Sequence, residues 1–314
     1  MHFLVTAANG DIGEAIGRIL RERWPDAKLH GADIADPWPA QASFDVVHRL
    51  PSGNDPSYTT ALAALAVTLG ADVVIPVSEP ELLKLATTPG SAARLPLVMA
   101  PATLVRLFLD KLETARWLAS HGLPGPRTIP LAEAGADSLP LIVKPIRGHG
   151  ARGYEVVRSV ERLNVVKRET GAGYIAQALL EPADEEYTCA VVRLCGAVRT
   201  LVMRRQLDGS STMRIEVSDQ PEIQKLLARI ADISELDGSI NVQLRLTSEG
   251  PRIFEINPRI SGTVMMRHRL GFQDLLWILA ARAGAAPPAF VAPAGARVFR
   301  MAREIVAPPY PGQS

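Results

Sequence analysis

Apolar positions along this chain follow two periods in turn. In the amino-terminal part, short apolar runs at 2–7, 28–34, about 44–48 and 72–77 are bounded by Gly, Pro and Asp, as strands are. Between them, 12–23, 57–69 and 79–87 carry apolar residues at the three- and four-residue spacing of a helix face. Strands alternating with helices predict a parallel sheet covered by helices. Leu97–Met99 reads as a further short strand, and Pro101 opens a helix. A second helix runs from Lys111 to His121, closed by Gly122 with Pro124 beyond. After a Pro/Gly-rich link at 122–130 the pattern becomes strand-rich, interrupted by helices predicted at Pro221–Leu236 and Phe272–Ala283. The remainder, from Gly284, is rich in Ala and Pro, with one late strand near Arg297 and a frayed end from Ala307.

The strand-rich part holds the candidate chemistry. In Asn241–Leu246, Asn, Gln and Arg alternate with Val, Leu and Leu, so Asn241, Gln243 and Arg245 share one face. In Phe254–Asn257, Glu255 and Asn257 share a face while Phe254 and Ile256 are expected to pack on the other. A Ser-Glu-Gly-Pro turn joins the two segments, and a hairpin would set Gln243 opposite Glu255. One carboxylate and two amide oxygens suit Mg²⁺, a hard ion that takes oxygen ligands. Upstream, the apolar run Leu139–Val143 ends in Lys144. A loop with Gly148, Gly150 and Gly153 follows, then a second apolar run, Tyr154–Val157. Such a loop lets backbone N–H groups approach a polyphosphate, and Lys144 adds a point charge. Gly-x-x-x-x-Gly-Lys-Ser/Thr is absent, so the loop is not a P-loop. Further on, the strand-like Tyr174–Leu180 runs into acidic Glu181–Glu186, a candidate linker for an adenine edge followed by a carboxylate for ribose.

In this order, Asp110-Lys111, Lys144 with its glycines, Gln177 to Glu186, then Gln243, Glu255, Asn257 and Arg259 resemble the ATP-grasp superfamily. The likeness is greatest to the synthetase halves of the carbamoyl-phosphate synthetase large subunit. It implies an α/β and α+β chain: a Rossmann-like amino-terminal domain (1–100), an ATP-grasp domain of two β-rich lobes (101–290, lid lobe about 124–180), and a tail (291–314). It implies an ADP-forming carboxylate-amine ligase with an acyl-phosphate intermediate, using ATP and Mg²⁺, with Mn²⁺ as an alternative ion. Lys111 and Lys144 would contact phosphates, and Gly148, Gly150 and Gly153 would form a lid. Ala178 and Leu179 would offer backbone to adenine, with Gln177 beside its amino group and Glu186 on the ribose. The longer Glu-Pro-Ala-Asp linker leaves Glu185 as the alternative to Glu186. Gln243, Glu255 and Asn257 would hold the metal, and Arg259 would stabilise the transferring phosphoryl group. Arg204, Arg205 and Arg267 are substrate-side candidates, since guanidinium groups suit carboxylate or phosphate.

A second class of function competes at the amino terminus. Ala8-Asn-Gly10-Asp-Ile-Gly13 follows a strand and opens a helix, with Asp33 about 20 residues on, like a dinucleotide-binding turn. The first glycine of that fingerprint is Ala8, and no Tyr-x-x-x-Lys pair occurs. An NAD(P)-dependent oxidoreductase and a non-catalytic nucleotide-binding protein are therefore the alternatives. In the ligase reading, Thr6, Asn9 and Asp11 would line an acceptor pocket.

Composition sets limits. A chain of 314 residues supports two or three packed units. A formal charge of +1 gives no strong field for nucleic acid or membrane; the resemblance implies small-molecule carboxylate and amine substrates, and a homodimer is the default expectation. Cys189 and Cys195 match neither a redox motif nor a zinc site and are expected as small core residues. With no signal-peptide pattern at the start, a cytoplasmic setting is expected.

Overall fold

The computed structural model describes residues 1–35, 40–148, 153–209 and 211–301. The chain opens with β1 (His2–Thr6), α1 (Asp11–Arg23), β2 (Lys28–Asp33), β3 (Val46–Arg49), α2 (Tyr58–Thr68), β4 (Val73–Ile75) and α3 (Glu79–Thr87). The strands lie side by side as β3-β2-β1-β4, all parallel. Leu97 adds only an isolated bridge to Val74, short of the strand expected there. In α1, Ile16, Ile19 and Leu20 turn to the sheet, while Asp11 and Glu14 begin the helix and Arg21 and Arg23 end it, matching its dipole.

Glycines in and against the β1–α1 turn are explained by packing. A Cβ on Gly13 would stand 2.4 Å from the Ala7 carbonyl oxygen, and one on Gly31 would stand 2.9 Å from the Ala8 Cβ. Asp33, the ribose candidate of the dinucleotide reading, accepts the Asn9 and Ala35 N–H groups and so braces the turn.

Two short helices, α4 (Ala102–Phe108) and α5 (Lys111–Ser120), lead into a four-stranded antiparallel sheet. That sheet contains β5 (Thr128–Pro130), β6 (Leu141–Pro145), β7 (Glu155–Val157), then α6 (Val160–Glu169) and β8 (Tyr174–Ala178), in the order β5-β8-β6-β7. Neither β5 nor α6 was expected. Ser159 caps α6 by accepting the Arg162 N–H at 3.2 Å, and Leu163 and Val166 bury its inner face.

The third sheet is the largest. It takes β9 (Glu186–Leu194), β10 (Ala197–Asp208), β11 (Ser211–Val217), then, after α7 (Pro221–Ile233), β12 (Gly238–Thr247) and β13 (Gly250–Asn257). Next come α8 (Val264–Arg269), for which no element was expected, α9 (Asp274–Ala281) and β14 (Arg297–Phe299). The order is β13-β12-β9-β10-β11-β14, with β14 antiparallel to β11. Residues beyond 301, including the stretch expected to fray, lie outside the described residues.

The two faces of this sheet separate core from site. One face sends Cys189, Val191, Val202, Val242 and Leu244 against Ile223, Leu227 and Ile230 of α7. On the other, Ala190, Val192, Leu201 and Met203 pack on Met266, Phe272 and Trp277, while Glu186, Thr188, Arg205, Asn241 and Gln243 continue the same face into open clefts. Cys189 is in the core, where burial pushes its thiol up to about 12. Cys195, expected there too, is exposed in the β9–β10 turn. No helix among the described residues is long and apolar enough to cross a membrane.

Candidate functional site

The β12–β13 hairpin has the register read from the sequence: Gln243 faces Glu255 and Asn241 faces Asn257. The alternation breaks once. Register shifts after Gln243, so that Leu244 pairs with Ile253 and Phe254 is the extra residue of a bulge. Phe254 was expected in the core. The bulge turns it into the cleft, where the Lys144 ammonium lies 5.6 Å from its ring centre.

Two cavities meet at this hairpin. The first, about 280 Å³, lies between the four-stranded and six-stranded sheets, and Lys111, Lys144, Gly148, Gln177, Ala178 and Glu186 contribute to its walls. The second, about 340 Å³, lies between the six-stranded sheet and the β1–α1 and β4–α3 turns, and contains Asn257 and Arg259. Arg205, Gln243 and Glu255 belong to both.

Positive charge converges on the shared wall. Burial raises the Glu255 carboxyl, but Lys111, Lys144, Arg205 and Arg259 outweigh it and hold the group below its ordinary value. Burial acts the other way on Lys144 and pulls it down to about 8, with Glu255 partly opposing. Asp110 caps α5 by accepting from Leu112 and Glu113, which sets Lys111 at the start of the helix. From there the Lys111 ammonium donates to the Gly148 carbonyl at 2.8 Å, and the Lys111 N–H to the Ile146 carbonyl at 3.1 Å. Gly148 and Gly153 have φ of +138° and +71°, which side-chain-bearing residues rarely adopt. Gly150 lies outside the described residues.

Period-two geometry sorts the acids and arginines. Glu186 faces the first cavity, clamped between Arg205 at 2.5 Å and Arg245. Glu185 faces the other way, with Arg204 at 2.8 Å and the Tyr187 hydroxyl at 3.0 Å. Of the substrate-side candidates, Arg205 therefore stands between the cavities, and Arg204 lines neither. Arg267 is a correction: it is fully buried, paired with Asp274 at 2.8 Å and donating to the hydroxyls of Ser261 and Thr263. Thr6 is also no pocket residue, since it is buried and bonded to Glu81 and the Val77 N–H. Asp11 lines the second cavity, and Asn9 a third beside it.

The adenine-side candidates divide similarly. Ala178 and Leu180 line the first cavity; Leu179 faces a separate depression behind it. The N–H groups of Ala178 and Leu179 bond to the carbonyls of Arg127 and Pro140. Gln177 is nearly buried, its amide donating to Thr128. Among the described residues no three His, Cys, Asp or Glu side chains cluster as a metal site. The donor set at the hairpin is instead one carboxylate and two amides, which fits an oxygen-seeking ion that also takes phosphate oxygens.

Comparison with known proteins agrees with this arrangement. Residues 175–303 match the profile of a family described as "ATP-grasp in the biosynthetic pathway with Ter operon". Among solved structures, N5-carboxyaminoimidazole ribonucleotide synthetase from Thermus thermophilus superposes with a TM-score of 0.71 at 19% identity, over 94% of this chain and 81% of that one. This chain has the ATP-grasp fold. L-amino acid ligase from Bacillus licheniformis shares it with a TM-score of 0.70 at 20% identity, over 88% and 73% of the two chains. So does the biotin carboxylase domain of Hydrogenobacter thermophilus 2-oxoglutarate carboxylase, crystallised with MgADP and bicarbonate (TM-score 0.67, 16% identity, 91% and 70% covered). No curated protein sequence matches the chain.

Several residues of this ATP-grasp cleft escaped sequence reading. Arg245 clamps Glu186; its place beside Gln243 on an alternating strand was the available signal. Glu79 holds Arg259 at 3.0 Å, and Arg300 pairs with Asp11 and donates to the Gly262 carbonyl. These contacts join residues 180 and 289 positions apart, and nothing local announces them.

Proposed function

We propose that the chain is an ATP- and Mg²⁺-dependent carboxylate-amine ligase that releases ADP and phosphate through an acyl phosphate. The observation that carries this reading is the shared wall: the cavity with two lysines and Gly148 borders a second cavity along Arg205, Gln243 and Glu255. A triphosphate held by Lys111, Lys144 and the backbone near Gly148 would present its terminal phosphorus at that wall. A carboxylate in the second cavity would face it.

Gln243, Glu255 and Asn257 would hold Mg²⁺, which when bound neutralises charge on phosphate oxygens. The protein's own part is positioning and charge stabilisation. A carboxylate oxygen attacks the γ-phosphorus, the bond to the β–γ bridging oxygen breaks, and ADP leaves. Arg259 and Arg205 stabilise charge on the phosphoryl group during transfer. The amine nitrogen then attacks the acyl carbon, phosphate departs with the bonding pair, and the nitrogen loses a proton. Closure near Gly148 and Gly153 excludes the water that would hydrolyse the acyl phosphate. Glu186, between two arginines, is the proposed ribose partner. The structures of a T. thermophilus synthetase and a B. licheniformis ligase on this fold support the reaction class.

The test is phosphate release from ATP and Mg²⁺ across paired carboxylic acids and amines, with the nucleotide product identified. ADP together with an amide is expected. AMP as product, or no acid-dependent release in a screen where ATP binds, overturns the reading. Mn²⁺ is expected to replace Mg²⁺.

A further inference from the structure

The second cavity has a neighbour. A third, lying between α1, α8 and β14, shares Gly10, Asp11, Gly262 and Arg300 with it. The two spaces differ in chemistry. The inner one is bounded mainly by hydroxyls, amides and guanidinium groups, among them Thr188, Thr212, Asn257 and Arg259. The outer one has Ala15, Met265, Met266, Val298, Phe299 and Met301 as its apolar wall, with Asn9, Glu14, Arg18 and Arg269 beside them. The cations at its rim are matched by acids: Arg18 with Glu14 at 3.7 Å and Arg269 with Glu22 at 2.5 Å. Arg300 stands at the junction, its guanidinium held by Asp11 and the Gly262 carbonyl, so the divider is also charge-paired.

We infer that the carboxylate substrate is amphipathic: its acid group occupies the inner chamber and an apolar aliphatic or aromatic remainder passes the Arg300–Asp11 pair into the methionine- and phenylalanine-lined groove. This inference rests on the ligase reading for the place of the acid group, and on the lining of the outer groove for the rest. Three observations support it. The groove shares four wall residues with the chamber beside Glu255. Its lining is more apolar than polar and its arginines are paired with acids, so it offers a doubly charged remainder little compensation for lost water. Methionine side chains also adapt to varied apolar shapes. Phe299 is 57% exposed, and Arg214 lies 5.8 Å from its ring centre, so the ring keeps apolar surface to offer a ligand.

The experiment is calorimetric titration of the full chain, with Mg²⁺ and a non-hydrolysable ATP analogue, using acetate, butyrate, hexanoate and 3-phenylpropanoate. Titration of the analogue alone is run alongside. Affinity is expected to rise by roughly fourfold per added methylene. Phe299→Ala is expected to weaken hexanoate and 3-phenylpropanoate by about tenfold and to leave acetate unchanged, with Phe299→Leu recovering part of the loss. A flat series, an equal loss for acetate, or no binding of any acid while the analogue binds overturns the inference. A graded series with no binding of the analogue supports the amphipathic site and removes the ligase reading instead.

Discussion

Glu255 is the acid of the wall shared by the two cavities, and two lysines and two arginines act on it. Glu255→Ala is therefore expected to abolish acid-dependent phosphate release while the circular dichroism spectrum and melting temperature stay close to those of the parent. Release at the parental rate would remove Glu255 from the site. Lys144 gives a pH test whose sign follows from its depressed value of about 8. Phosphate binds the charged ammonium, so a bound nucleotide raises the group's value and takes up a proton. ATP affinity should thus hold steady below pH 8 and fall as pH rises above it. Lys144→Arg, charged throughout, should flatten that fall. An identical pH profile in both proteins would show that Lys144 does not meet the phosphates. Arg204 and Arg205 show how much one position matters. They are neighbours in sequence, yet a strand turns one to an acidic loop and the other to the cleft wall.

The bulge in β13 illustrates how elements edit a pattern. One extra residue lets Ile253 stay in the core and Glu255 stay in the cleft, and it adds Phe254 to the cleft lining. The Pro258–Thr263 loop, which carries Arg259, depends on a different device. Arg267 reaches from α8 to two of its hydroxyls and is anchored by Asp274, which also accepts from Ser239. Both members of the ion pair are 1% exposed. Arg267→Met leaves Asp274 buried and unpaired, and should cost about 3–5 kcal/mol of stability in denaturant unfolding. Adding Asp274→Leu should restore much of that loss. A single-variant loss below ~1 kcal/mol would mean that the network is not holding the loop.

 The cleft is formed by two separate sheets, and Lys111, Lys144 and Glu186 reach it from three stretches of chain. A nucleotide that bridges the sheets binds only the folded form. ATP with Mg²⁺ at about 100 times its dissociation constant should stabilise the fold by about 2.7 kcal/mol, read as a rise in melting temperature. NAD(P)H at the same multiple of its expected affinity should give no rise. The reverse result would favour the oxidoreductase reading of the β1–α1 turn, whose glycines the structure otherwise explains by close packing.

Local pattern made most of the elements and the centre of the site legible. Period-two alternation and a turn signal were enough to pair Gln243 with Glu255, because side-chain direction along a strand follows from backbone geometry alone. A glycine loop after a lysine-ended strand was legible for the same reason: backbone conformation at Gly148 and Gly153 is written in residue type. What could not be read locally were choices settled by distant partners. Arg267 is indistinguishable in sequence from a surface arginine until Asp274 and two hydroxyls close around it. Phe254 turns outward only because β12 and β13 pair with unequal lengths. The grip of Glu79 on Arg259, and of Asp11 on Arg300, requires the parallel sheet to dock beside the six-stranded one. Charge pairing and cavity shape depend on which surfaces meet in three dimensions, and a one-dimensional pattern carries no term for that.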